Sequence, residues 1–313
     1  MTEQASRYML IRADNFQSLP PMLLHHQQHT ISYQVFGKGP ALLFCLHGYG
    51  ESGLEFAALG EQLGNDYTLV CPDLPLHGKT SWTDKSFEVD DLYSLLMALA
   101  ADTTLSAYTT PGTTAPGTGP TPGSRFSIAG YSMGGRLALS LAEKYPAELA
   151  ELILIAPDGL KINFWYWLTT QTNCGNRLFR KTMQRPAWLF RAMETARSLR
   201  LLNQSIYKFT HRFLDDPQQR EDLYARWTFF RHFRPNKKRL QQLIRINRLR
   251  TLLFFGKFDR IITSRLGTRF AKDMGNETGI FLLEAGHRLL KPSNAATIAK
   301  IILSREEYPA GEK

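Results

Sequence analysis

The chain has 313 residues, 43% hydrophobic and 21% charged, which excludes wholesale disorder, a collagen-like repeat and an extended coiled coil. Three scattered cysteines, Cys45, Cys71 and Cys174, exclude a disulfide framework and a cysteine zinc cluster. The net charge of +10 sits in one place: residues 158–249 hold 19 Lys or Arg against 6 Asp or Glu, while the rest holds 19 basic against 22 acidic residues.

Residues 1–16 contain Glu3 and Asp14 and no apolar run of signal-peptide length. The longest apolar stretches, such as Ala41–Leu46, fall far short of the ~20 residues of a membrane span, so a soluble cytoplasmic protein is expected. His25, His26 and His29 have no carboxylate or cysteine pattern beside them and read as a solvated stretch, not a metal site. In chain order, residues 31–36 alternate before the turn Gly37-Lys38-Gly39-Pro40, and 41–46 form a continuous apolar run, a strand buried on both faces. Helical spacing follows over 54–63, a strand over 68–71 and a helix over 89–101 with Leu92, Leu95, Leu96 and Leu99 on one face. Residues 103–124 hold eight Thr, four Pro and four Gly, and read as a flexible exposed loop.

Beyond that loop, a strand at 125–129 leads into Gly130-Tyr131-Ser132-Met133-Gly134-Gly135 and a helix over 136–144. Strands at 152–156, 251–255 and 279–283 and a helix at 295–303 complete the pattern, with a helical basic stretch between the first two of those strands. Strands alternating with helices imply a mostly parallel sheet covered on both faces, with active residues beyond the carboxyl ends of the strands. His47, Ser132, Asp259 and His287 all fall at such ends.

Gly-x-Ser-x-Gly between a strand and a helix is the setting of a nucleophile elbow. A serine hydroxyl is a poor nucleophile at neutral pH and needs a base, usually histidine, which needs an acid to fix its tautomer. Ser132, Asp259 and His287 occur in that order, with Asp158, just past another strand, as the alternative acid.

Leu46-His47-Gly48-Tyr49-Gly50, Pro72–Gly78, the Gly130–Gly135 elbow, Gly256–Asp259 and Ala285-Gly286-His287 together resemble the α/β-hydrolase superfamily. The resemblance implies an eight-stranded, mostly parallel sheet flanked by helices, built from residues 1–157 and 250–313, with a helical cap inserted at 158–249. It implies Ser132 as nucleophile, His287 as general base and acid, and Asp259 as its orienter. It places the oxyanion hole on the backbone N–H groups of Tyr49 and Met133, and makes His47 and His77 structural. Leu76 stands where the family often has glycine. A serine nucleophile argues against the dehalogenases and epoxide hydrolases of this fold, which attack through aspartate.

The expected activity is hydrolysis of a carboxylic ester of a small or medium, apolar or anionic substrate, with no cofactor or metal. Carbon–carbon or thioester hydrolysis, or elimination, would use the same residues, and a non-hydrolytic binding protein is the alternative of another class. The elbow with Arg136 resembles the menaquinone-pathway lyase of this fold, in which an arginine here meets substrate carboxylates. Residues 158–249 contain 15 of the 36 aromatics and four of the five tryptophans, Trp165, Trp167, Trp188 and Trp227. In a cap these would build its core or line an apolar pocket, while the arginines either grip an anionic substrate or form a solvated face. The densest basic run, residues 231–239, also allows peripheral contact with an anionic membrane; no nucleic-acid-binding module is recognisable, so nucleic acid is not the expected partner.

Overall fold

The computed structural model describes residues 21–102, 125–199, 214–272, 274 and 278–304. The Thr/Pro/Gly-rich stretch 103–124 lies outside the described residues. The chain divides into two compact units: Met1–Asp84 with Glu88–Lys161 and Phe233–Lys313, and Lys85–Phe87 with Ile162–His232.

The first unit holds eight strands: β1 (Met22–His26), β2 (His29–Phe36), β3 (Ala41–Leu46), β4 (Tyr67–Pro72), β5 (Phe126–Tyr131), β6 (Leu149–Ile155), β7 (Arg250–Gly256) and β8 (Thr278–Leu283). They form one sheet in the order β1-β2-β4-β3-β5-β6-β7-β8, parallel from β4 to β8 and antiparallel where β2 meets β1 and β4. The helices are α1 (Ala57–Leu63), α2 (Val89–Ala100) and α3 (Met133–Lys144), then α4 (Phe164–Gln171), α5 (Asn173–Gln184), α6 (Ala187–Ser198) and α7 (Pro217–Phe229) in the second unit. They continue in the first unit with α8 (Lys237–Ile246), α9 (Ser264–Ala271) and α10 (Pro292–Leu303).

The central strands are apolar at nearly every position because both faces are covered. Leu43, Cys45, Leu69, Cys71, Ile153 and Phe254 join one cluster with Phe56 and Leu59 near α1 and Ile298 and Ile302 of α10. The intervening residues Phe44, Val70, Leu152, Leu253 and Phe255 are equally buried. On that side α3 packs on β5 and β6, α2 and α8 pack on α3, and α9 packs on β7 and β8. Each fully buried Leu or Phe contributes roughly 1.5–3 kcal/mol of transfer free energy.

Hydrophobic pattern alone misses β1, whose half-exposed side chains carry a weak signal at the sheet edge. The three histidines divide: His25 and His26 lie in β1, the first exposed as expected and the second half-buried, whereas His29 opens β2 and is buried, with its ring stacked 3.7 Å from Trp82. Far from the strands' carboxyl ends, Glu151 of β6 accepts from the Tyr67 hydroxyl at 2.7 Å and the Ser127 hydroxyl at 3.1 Å, and pairs with Arg250 at 2.5 Å. Arg250 also donates to the carbonyls of Ile302 and Ser304, which ties β6 and β7 to the end of α10.

The second unit is small and helical. Phe179, Met183 and Leu214 form its core with Phe190, Leu223 and Trp227 against them. Asn163, Thr172 and Asp216 cap α4, α5 and α7 by accepting from Trp165, Gly175 and Gln218 N–H. This unit is narrower than the 158–249 expected for an inserted cap. Leu240 and Ile244 of α8 are buried in the first unit, and Asn236 N–H donates to Glu143 of α3 at 2.8 Å. The basic stretch divides accordingly: residues 162–232 hold 12 Lys or Arg against 5 acids, and residues 233–249 hold 6 against none.

Candidate active site

β5 ends at Tyr131 and α3 begins at Met133, leaving Ser132 alone at the corner with φ 49° and ψ −113°. That is a left-handed, strained backbone for a residue with a Cβ. The surrounding backbone holds it there: Ser132 N–H donates to Ile155 O at 3.0 Å, and Ser132 O accepts from Gly135 N–H at 3.0 Å and Asp158 N–H at 2.8 Å. The glycines are required by close approach. A Cβ on Gly134 would lie 2.0 Å from the Leu46 carbonyl oxygen, and one on Gly130 would lie 2.5 Å from the Gly134 carbonyl oxygen. The start of α3 therefore presses on the end of β3.

Asp259 follows β7 and His287 follows β8. Phe258 N–H donates to Ala285 O at 2.9 Å, joining the two loops. The Asp259 side chain is fully screened from solvent; its Oδ1 accepts from Ile261 N–H at 2.7 Å and Ile262 N–H at 3.0 Å. Its Oδ2 lies 2.8 Å from His287 Nδ1, and His287 Nε2 lies 3.1 Å from Ser132 Oγ. Because a carboxylate only accepts, Nδ1 carries the proton, and the lone pair of Nε2 faces the serine hydroxyl. The structure thus brings Ser132, His287 and Asp259 together.

Asp158, the alternative acid, is engaged elsewhere: its Oδ1 accepts from Gly159 N–H at 2.7 Å and its Oδ2 faces Arg136 Nε at 3.6 Å. Arg136 is buried in the first turn of α3, with its Nε beside Asp158 and not open to solvent. His47 is fully buried; its Nδ1 donates to Gly48 O at 2.8 Å and its Nε2 accepts from Leu74 N–H at 2.9 Å. Both ring nitrogens are committed to loop structure. His77 is buried too, with Nδ1 2.9 Å from Pro75 O and its ring 5.0 Å from that of His47. Leu76 takes φ 63°, the left-handed conformation that explains a glycine preference there.

Met133 is the first residue of α3, so its N–H has no acceptor within the helix. Tyr49 lies in the loop after β3, on the strand end that α3 touches. Two neighbours escaped the sequence patterns. Tyr131 donates its hydroxyl to His287 O at 3.3 Å. Glu51 accepts from Gly48 N–H at 3.1 Å; burial, and then the charge of Glu55, push its carboxyl up to about 7. A single acid in a Gly-rich loop carries no distinguishing signal in sequence. Among the described residues no group of three His, Cys, Asp or Glu is placed to hold a metal.

In the second unit the aromatics divide. Tyr166 and Phe179 are buried, whereas Phe164, Trp165 and Trp188 are exposed. A polar cavity of about 470 Å³ is lined there by Gln171, Asn176, Arg177, Arg231 and His232, among others. No helix among the described residues is long and apolar enough to cross a membrane.

The profile described as "Alpha/beta hydrolase family" matches residues 43–300. The chain is 29% identical over 126 residues to the pyrrolizixenacetamide deacetylase of Xenorhabdus hominickii, covering 40% of each protein. It is 27% identical over 140 residues to the pimeloyl-[acyl-carrier protein] methyl ester esterase of Nitrosomonas europaea, covering 44% of this chain and 46% of that protein. The chain spans about two fifths of the length of several curated relatives it matches. A thermophilic esterase of Thermogutta terrifontis shares the fold, with a TM-score of 0.59, 17% identity, and coverage of 91% of this chain and 96% of the esterase.

Proposed function

The chain belongs to the alpha/beta hydrolase family, and on that premise we propose that it is a serine hydrolase cleaving carboxylic esters through an acyl-enzyme. The observation that carries the reading is the hydrogen-bonded series from Asp259 through His287 to Ser132 Oγ, with the serine held at a positive φ. Ser132 Oγ attacks the ester carbonyl carbon while its proton passes to His287 Nε2. Negative charge gathers on the former carbonyl oxygen, which the N–H groups of Met133 and Tyr49 stabilise; each such donor is worth roughly 2.7–4 kcal/mol in the transition state. His287 then gives its proton to the departing alcohol oxygen as the C–O bond breaks. Water, deprotonated by the same nitrogen, attacks the acyl-serine and releases the acid, restoring Ser132.

Two relatives named for removing acyl or methyl ester groups, and an esterase sharing the fold, are consistent with acyl transfer to water. The net charge of +10 favours anionic substrates by long-range attraction. The test uses p-nitrophenyl acetate and butyrate and a fluorophosphonate probe on wild type and Ser132→Ala. Wild type is expected to turn over and label, and Ser132→Ala to do neither. A wild type that neither turns over nor labels overturns the reading in favour of a binding protein on the same fold.

A further inference from the structure

The loop after β3 carries an acid that the reaction above leaves without a role. We propose that Glu51 is a positioning residue, which holds Gly48 through a charge-assisted hydrogen bond and thereby fixes the direction of the Tyr49 N–H. The inference rests on the hydrolase reading and on Tyr49 as an oxyanion donor.

A Cβ at position 48 would come within 2.5 Å of Glu51 Oε2 and 3.3 Å of the Tyr131 ring, so a side chain there would push the carboxylate off the Gly48 N–H. Glycine is also the residue least able to hold its own backbone in place. The structure pins it at both ends. Its N–H donates to Glu51 Oε2 at 3.1 Å; its carbonyl oxygen accepts from His47 Nδ1 at 2.8 Å and from Glu51 N–H at 3.4 Å. That carbonyl belongs to the peptide whose N–H is Tyr49's. In a planar trans peptide the N–H points opposite to the C=O, so holding Gly48 O aims the Tyr49 N–H. Removing the carboxylate frees the N–H end of Gly48 and leaves the Tyr49 N–H aimed by the two contacts to Gly48 O alone.

The same carboxylate lies among the loops of the triad. Tyr131, immediately before Ser132, lies against Gly48 and bonds His287 O. The charged groups facing Glu51 are Glu55 from the 3-10 turn Gly53–Phe56 and Arg288 from the loop after β8, with the Tyr131 phenol at the end of β5. Burial and Glu55 disfavour the carboxylate, while Gly48 N–H and Arg288 favour it, which places its titration at about 7. Below that pH the neutral acid is a weaker acceptor for Gly48 N–H. Acidification therefore loosens the loop, separately from the requirement that His287 be neutral to act as base.

The experiment compares wild type, Glu51→Ala and Glu51→Gln, using p-nitrophenyl acetate and the fluorophosphonate probe from pH 5.5 to 8.5. Misaiming one donor by a fraction of an ångström to an ångström costs about 10- to 100-fold. Glu51→Ala is expected to lose about that much in kcat and labelling rate, with KM within about 3-fold. Glu51→Gln, whose amide oxygen still accepts from Gly48 N–H but without the charge, is expected to have a kcat at pH 8 between those of wild type and Glu51→Ala. It is also expected to lose the part of the acid-side decline centred near pH 7. An active wild type with Glu51→Ala within about 3-fold in kcat overturns this inference alone. If Glu51→Ala does not fold, Glu51→Gln decides, and an acid limb unchanged from wild type overturns it. A wild type that neither turns over nor labels overturns the hydrolase reading and this inference with it.

Discussion

Exchanging Asp259 for asparagine swaps one carboxylate oxygen for a nitrogen, and the structure dictates which. Oδ1 accepts from Ile261 and Ile262 N–H, at 2.7 and 3.0 Å, in a position closed to solvent. An amide nitrogen placed there would face two N–H donors with nothing to accept. Leaving both donors unpaired costs about 2–6 kcal/mol, at roughly 1–3 for each buried group. The amide oxygen of the substituted side chain therefore keeps the Oδ1 position, and its NH₂ group meets His287 Nδ1, now 2.8 Å from Asp259 Oδ2. Nδ1 must then accept, so Nε2 carries the ring proton. That nitrogen, 3.1 Å from Ser132 Oγ, now donates where it must accept, and the base is lost while the fold is kept. A wrong tautomer in a serine triad costs about 10⁴ in kcat, which at 1.36 kcal/mol per decade is about 5 kcal/mol of barrier. The assay is kcat on p-nitrophenyl acetate with melting temperature as the control for folding. Asp158→Asn is the companion variant. Its side chain faces Gly159 N–H and Arg136, so kcat is expected within about 3-fold of wild type. Asp259→Asn within 10-fold of wild type, or Asp158→Asn as inactive as Asp259→Asn is expected to be, would refute the reasoning.

Glu151→Ala leaves Arg250 in a largely buried site without its carboxylate and is expected to cost about 3–5 kcal/mol in urea unfolding; a loss below about 1 kcal/mol contradicts the buried-pair account. Leu76→Gly relieves a left-handed backbone worth roughly 1–2 kcal/mol but adds about 0.4–1 kcal/mol of unfolded-state entropy, so it is expected to be neutral to about 1 kcal/mol stabilising. A clear destabilisation would mean that the Leu76 side chain contributes packing that outweighs the strain. Glu51 has a folded pKa raised from 4.5 to about 7, so the native state holds its proton more tightly than the unfolded state. Its stabilising contribution is complete below about pH 4.5 and is lost as pH rises to about 7, by roughly 1–2 kcal/mol after discounting for partial exposure. Glu51→Gln should remove that decline in a stability profile from pH 4.5 to 8, and an identical slope in both proteins contradicts the assignment.

Short stretches of the chain encode part of the fold on their own. Consecutive apolar runs such as Ala41–Leu46 fit strands covered on both faces, and their alternation with helices announces a parallel sheet. Gly130, Ser132 and Gly134 between a strand and a helix announce a corner whose close approaches exclude side chains. Ser132, Asp259 and His287 follow in an order that one connectivity explains. The tertiary structure decided what depends on residues far apart in the chain. His287 meets Asp259 across 28 residues and Ser132 across 155, and no local pattern says which of two loop aspartates faces the ring. Arg136 and Asp158 are each plausible site residues alone and become a pair only in the fold. The stretch 233–249 has the charge of the basic segment before it, yet Leu240 and Ile244 assign α8 to the first unit, because burial follows the apolar face of a helix and not its charge. Glu51 shows the difference most plainly. In sequence it is one acid in a turn; the fold places it against Gly48 N–H, partly out of water and near Glu55, and the burial and that charge raise its titration to about 7.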